Sequence, residues 1–185
     1  STIPHTVFNV KIFGTTEIRI LKKLIPKKND EETLRYNRNI LEIYTAINHP
    51  QIPNIREAFQ SESEIGLIFD KIQGKRILEY FEFKKTVDFQ IICTITFQLI
   101  NLLDYLHKKQ ICLRALDPKN ILFDGTNIKL ISLNNARSTK RNFWFSDLVG
   151  EPYLMSPEMA NGKYSYKNDI WQAGVIIHEL LIGEH

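Results

Sequence analysis

The sequence predicts an α+β fold in two parts, a small β-rich part followed by a largely helical one. Three observations carry that reading. Short β-prone runs broken by turn residues crowd the first third of the chain, a long amphipathic stretch follows Gly74, and a nearly all-apolar helical stretch lies near the end. The 185 residues are 43% hydrophobic and 11% aromatic, which suits a packed core and excludes a disordered chain. The boundary falls near Ile72 to Lys75, giving parts 1–73 and 74–185.

In the first part, Thr6 to Phe13 and Glu17 to Leu24 read as strands separated by Gly14-Thr15-Thr16, which is hairpin spacing. Lys22-Lys23 and Lys27-Lys28 read as a solvated face at the exit of the second strand. Asn29 with Glu32 has the form of a capping box, so a helix should run from there to about Ile47, with Leu41, Tyr44 and Ile47 at helical spacing. His49-Pro50 ends it, because the residue before proline avoids the α region. Strands Ile55 to Phe59 and Ile65 to Phe69 follow.

In the second part, Val87 to His107 reads as an amphipathic helix with Ile91, Ile95, Leu99, Leu102 and Leu106 on one stripe. Strands Asn120 to Phe123 and Ile128 to Ile131 flank the turn Asp124-Gly125-Thr126-Asn127. The helix Ile170 to Ile182 is apolar nearly all round, and such a helix is expected to be buried on every face.

Charge and cysteine usage narrow the classes. A net charge of +3 gives no electrostatic case for nucleic acid or an anionic membrane. Cys93 and Cys112 cannot make a disulfide framework. The apolar run Ile91 to Leu103 is interrupted by polar residues and falls short of the ~20 residues of a membrane span. The expectation is therefore a cytoplasmic or otherwise intracellular domain, with other proteins as partners and neither nucleic acid nor membrane among them.

Four segments then occur in a telling order. Leu113-Arg114-Ala115-Leu116-Asp117-Pro118-Lys119-Asn120 precedes an apolar strand, and Ile128 to Asn134 carries Ser132 just after a second one. Val149-Gly150-Glu151-Pro152 to Ser156-Pro157-Glu158 comes next, and then Asn168-Asp169-Ile170-Trp171-Gln172-Ala173-Gly174. In frame and spacing these are similar to the catalytic loop, metal-binding motif, activation-segment end and buried-helix start of a protein kinase. The chain thus resembles a Ser/Thr protein kinase, and the resemblance implies a bilobal fold whose later helices lie beyond residue 185.

The same resemblance marks the chemistry as degenerate. The base position holds Ala115, the loop lysine is Asp117, and the magnesium-binding aspartate is Ser132, a poor ligand for a hard cation. The strand lysine aligns with Arg19 and its helix glutamate with Ile40; Glu42 lies two residues on, on another face. Arg19, Phe69 (as a bulky gatekeeper before the hinge Asp70 to Gln73) and Asn120 remain as vestiges of a nucleotide site. Arg114, Glu158, Asp169, Trp171 and Gly174 match scaffold positions, and with Asp117 nearby and Asp147 in the activation segment Arg114 is expected to be permanently paired with an acidic neighbour. Phe143, Trp144 and Phe145 form either a tucked cluster or a partner-contact patch. With base and metal carboxylates both absent, the expectation is a pseudokinase that is not an enzyme and acts as a scaffold or allosteric partner. No metal or cofactor is expected, with weak ATP binding left open. The alternative is an atypical ATP-dependent kinase or nucleotide transferase with relocated catalytic groups.

Overall fold

The computed structural model describes residues 5–24, 31–60, 64–82, 88–139 and 143–183. The chain divides into two compact units. The first comprises residues 1–48 and 52–72, the second 49–51 and 73–185. The break at Ile72 falls one residue before the expected one, and His49 to Gln51 belong with the helical unit.

The first unit is a four-stranded antiparallel sheet with one helix. Strands β1 (His5–Lys11) and β2 (Ile18–Leu24) form the expected hairpin, closed by the bond from the Ile12 amide to the Glu17 carbonyl. Gly14 supplies the positive φ, +77°, that this turn requires. Helix α1 (Glu31–Ala46) follows; Asn29 of the anticipated capping box lies outside the described residues. Strands β3 (Ile55–Gln60) and β4 (Ile65–Asp70) complete the sheet, in the order β1-β2-β4-β3. Phe59 lies opposite Gly66 and its ring occupies the space a Cβ there would fill, so the aromatic covers the glycine of its partner strand. The core is Leu24, Ile40, Ile43, Tyr44, Leu67 and Phe69, with α1 supplying one stripe and the sheet the other.

In the second unit, β5 (Lys75–Arg76) leads into the short helix α2 (Ile77–Phe81). Helix α3 (Phe89–Lys108) is capped by the Asp88 carboxylate, which accepts from the Gln90 amide at 2.8 Å. Val87, the expected start, lies outside the described residues. Ile92, Ile95, Leu99, Leu102, Leu103 and Leu106 are its buried face. At 20 residues this helix is long and apolar enough to cross a membrane by length and composition, which corrects the shorter estimate from the sequence, although that face is packed in the core.

Strands β6 (Ile111–Cys112), β7 (Ile121–Phe123), β8 (Ile128–Leu130) and β9 (Arg137–Ser138) form two small sheets, β5-β7-β8 and β6-β9. A 3-10 turn, Pro118–Asn120, precedes β7, and helices α4 (Pro157–Ala160) and α5 (Lys167–Ile182) close the unit. Helix α5 departs from expectation. Asn168, Asp169, Gln172, Ala173, Ile176 and Leu180 are buried, whereas Ile170, Trp171, Leu181 and Ile182 are about half exposed within this chain. Apolar composition on all faces does not force burial on all faces; here polar residues hold the inner one.

Candidate functional site

In the first unit, β2 separates two cationic side chains that are easily confused in sequence. Arg19 lies three residues before Lys22. In a strand with a two-residue repeat, that offset puts them on opposite faces. Arg19 donates to Glu17 Oε1 at 3.0 Å and Glu57 Oε1 at 3.1 Å, and these carboxylates hold its guanidinium above its ordinary value. Lys22 shares its parity with Ile20, which pairs with Phe69 on β4, and with the buried Leu24. Lys22 is itself buried, its Nζ 6.0 Å from the centroid of the Tyr44 ring, and burial pushes its pKa down to about 8. Two expectations are corrected at once. Lys22 is not part of a solvated face, and the core-facing strand cation is Lys22, not Arg19. The sequence signal was present in the Ile20-Leu21-Lys22 triplet, and the run of lysines masked it.

Ile40 is fully buried and Glu42 exposed, so α1 presents no carboxylate at the position expected of the lysine's partner. Tyr44, one turn further on, is the α1 group beneath Lys22. Phe69 is a core residue packed against Tyr44, the rings tilted by 58° with centroids 5.2 Å apart.

In the second unit, α5 fixes the loop 113–120. The buried Asp169 carboxylate accepts from the amides of Leu113 (2.9 Å) and Arg114 (2.8 Å) and meets His107 Nε2 at 2.8 Å. Asn168 and Gln172 both donate to the Arg114 carbonyl at 3.1 Å, and Gln172 Oε1 accepts from the Leu116 amide at 2.9 Å. These contacts hold Arg114 at φ +68°, a conformation that costs a non-glycine residue energy. Asp169 was anticipated as a brace. Asn168, Gln172 and His107 were not, although three polar residues at i, i+1 and i+4 on an otherwise apolar helix are a readable sign of a buried polar face.

Arg114 is buried and its guanidinium reaches Asp147, the Tyr164 hydroxyl (3.0 Å) and the face of Phe145 (4.7 Å from the centroid). Of the two acidic neighbours anticipated for Arg114, Asp147 is its partner, while Asp117 caps the turn that follows. Phe145 is core, packed with Cys112, Met159 and Tyr164, so it is withdrawn from the contact patch; Phe143 and Trp144 remain exposed, with Lys163 over the Trp144 ring. Glu158 is exposed on α4, and Trp171 and Gly174 lie on the outer side of α5.

Around the loop's outer side stand Ala115, Asp117, Lys119 and Asn120. Ala115 touches the place a Cβ on Gly150 would occupy, at 2.8 Å. Asp117 caps the 3-10 turn through the Lys119 amide (2.8 Å), and Lys119 Nζ reaches Glu151 at 3.4 Å. The Asn120 carbonyl accepts from the Ile131 amide at 2.9 Å, which sets Ser132 one residue from that junction. Magnesium does not fit this donor set well. Ser132 offers a neutral hydroxyl where the family has a carboxylate, and no group of three or more His, Cys, Asp or Glu able to hold a metal occurs among the described residues.

An antiparallel sheet with one helix, a helical unit, and a loop braced by an aspartate on a central helix together define a kinase-type domain, and comparison with known proteins agrees. Residues 5–185 match the protein kinase domain model, so the chain belongs to the protein kinase family. It is 32% identical over 169 residues to "Calcium-dependent protein kinase 5" of Plasmodium berghei, covering 87% of this chain and 29% of that protein. It is 32% identical over 165 residues to "Serine/threonine-protein kinase 36" of Pongo abelii, covering 87% of this chain and 12% of that one. Against "Serine/threonine-protein kinase AtPK2/AtPK19" of Arabidopsis thaliana it is 28% identical over 184 residues, covering 96% and 38%. The chain thus spans well under half the length of these relatives.

These likenesses overturn the expectation that the chain is not an enzyme, because proteins matching nearly all of it are named as protein kinases. In β2, where the sequence aligned Arg19 with the family's strand lysine, the core-facing cation is Lys22.

Proposed function

We propose that the chain is the catalytic domain of an atypical Ser/Thr protein kinase, transferring the γ-phosphoryl group of ATP to a serine or threonine hydroxyl of a protein. The observation that carries this reading is Lys22, a lysine in the core-facing register of β2, on the same face as Phe69 and over the Tyr44 ring of α1. A lysine is rarely buried without a task, since desolvating its charge is costly. Phosphoryl transfer needs such a cation, because catalysis there consists of positioning and of stabilising charge on the phosphate oxygens. The altered positions fit an atypical member: Ala115 and Ser132 remove the usual carboxylates, Ile40 stands at the helix glutamate's position, and the Tyr44 ring lies beneath Lys22.

The test is transfer of label from γ-labelled ATP to a library of serine- and threonine-containing peptides by the full-length protein. Lys22→Met is expected to lower transfer about a hundredfold or more, the size of one lost charge-stabilising donor. Arg19→Met, on the opposite face, is expected to leave it intact. No label above a boiled control in the wild-type protein would defeat the reading.

A further inference from the structure

We propose that Asp117 is the catalytic base of this domain, taking the role that Ala115 cannot fill; the inference rests on the kinase reading above. The argument begins with the backbone. Burial alternates along the loop: Arg114, Leu116 and Pro118 point inward, while Ala115, Asp117 and Lys119 do not. Asp117 is extended, with φ −128° and ψ 128°. Residues two apart in extended chain share a side, so the Asp117 carboxylate projects on the same side as the Ala115 methyl, one repeat along. Asp117 is the one carboxylate of the loop 113–120.

Its position is fixed from both directions. Upstream, Gln172 holds the Leu116 amide, and Asn168 and Gln172 hold the Arg114 carbonyl. Downstream, Oδ1 accepts from the Lys119 amide at 2.8 Å, which fixes the carboxylate through one oxygen. A base must be held in a fixed place to serve its hydroxyl, and this bond fixes the carboxylate through one of its two oxygens. Tyr153 is half exposed, and burial together with Glu179, Asp117 and Glu151 pushes its pKa up to about 12, so these carboxylates share one neighbourhood.

The step balances as a transfer. The acceptor oxygen forms a bond to the γ-phosphorus while the bond from that phosphorus to the β–γ bridging oxygen breaks and ADP departs. The hydroxyl proton passes to the Asp117 carboxylate. Lys119 and Asn120, the other polar side chains of the turn, carry no carboxylate that could take it.

Asp117→Asn separates this role from a structural one, because asparagine caps a turn about as well as aspartate but cannot accept the proton. In the full-length protein, with γ-labelled ATP and a phosphorylatable peptide from the library, transfer should fall about 10²–10⁴-fold. Thermal unfolding should be unchanged, and the loss should appear in kcat with the KM for the peptide little altered. The double variant Ala115→Asp with Asp117→Asn should recover at least about tenfold of the loss, since it returns a carboxylate to the same side of the loop. Activity retained in Asp117→Asn alone would overturn the assignment while leaving the kinase reading intact. A wild-type protein without transfer would overturn both.

Discussion

Asp169 shows how much one side chain organises. It is wholly buried, and it accepts from two loop amides, meets His107 and lies 3.6 Å from the Cys112 thiol. Desolvation, and then the Asp169 charge, push that thiol above its ordinary value, which keeps Cys112 a packing residue and not a nucleophile. Removing the carboxylate would strand the Leu113 and Arg114 amides, and each unsatisfied buried donor costs about 1–3 kcal/mol. Asp169→Ala should therefore lose at least about 2 kcal/mol of stability, seen as a lower urea midpoint with unchanged slope. It should also free Arg114 from φ +68°, and with it the placement of Asp117. An unchanged midpoint would mean that Asn168 and Gln172 suffice to hold the loop. The role of Asp169 was legible from its motif. That of Arg114 was legible only in part: its acidic partner was foreseen, but the Tyr164 hydroxyl and the Phe145 ring come from distant segments that no local spacing reveals.

At the scale of elements, legibility followed amphipathic contrast. Helix α3 alternates strongly enough that its buried stripe was readable to within a residue, Ile92 replacing Ile91 at its start. The two-residue strands β5, β6 and β9 carry too few side chains to show a pattern. Strand β2 failed differently, because consecutive lysines imitate a solvated exit while the two-residue repeat buries one of them. That burial has a measurable cost. Lys22 titrates at about 8 in the folded chain against an ordinary 10.5, so between those values the unfolded chain holds a proton that the folded chain has released. Stability should then rise with pH from about 8 to about 10.5, and the full cost of the buried charge is present below 8. The gap corresponds to up to about 3 kcal/mol. Lys22→Met should accordingly be more stable than wild type at pH 7 by up to that amount, with the two curves converging above about pH 10.5, while losing phosphoryl transfer. Urea denaturation at neutral and alkaline pH measures it. A variant less stable at both would show that the lysine contributes more through its contacts than it costs through its charge. A residue that weakens the fold and is kept for its charge is what a functional site leads one to expect.

For the molecule as a whole, the exposed side of α5 sets the behaviour of residues 1–185 in solution. Ile170 and Leu181 are eleven residues apart, as are Trp171 and Ile182, which at 3.6 residues per turn places each pair on one line of the helix three turns apart. All four are between 45% and 49% exposed, so the outer side of α5 carries one apolar pair at each end, with Gly174 and the exposed His178 between them. Covering half of each such side chain would recover roughly 1 kcal/mol apiece, from the 1.5–3 kcal/mol that full burial is worth. That sum is too small to decide whether the core folds, because the inner face is already closed by Ala173, Ile176 and Leu180. It is large enough to drive association of a folded chain. Residues 1–185 alone should therefore unfold cooperatively yet self-associate with rising concentration, as sedimentation velocity would record. Leu181→Gln with Ile182→Lys should yield a monomer with a melting temperature within a few degrees of the parent. If the parent is monomeric at every concentration, these apolar pairs are too small to act as an interface. If the double variant fails to fold, the outer face contributes to the core more than its exposure implies.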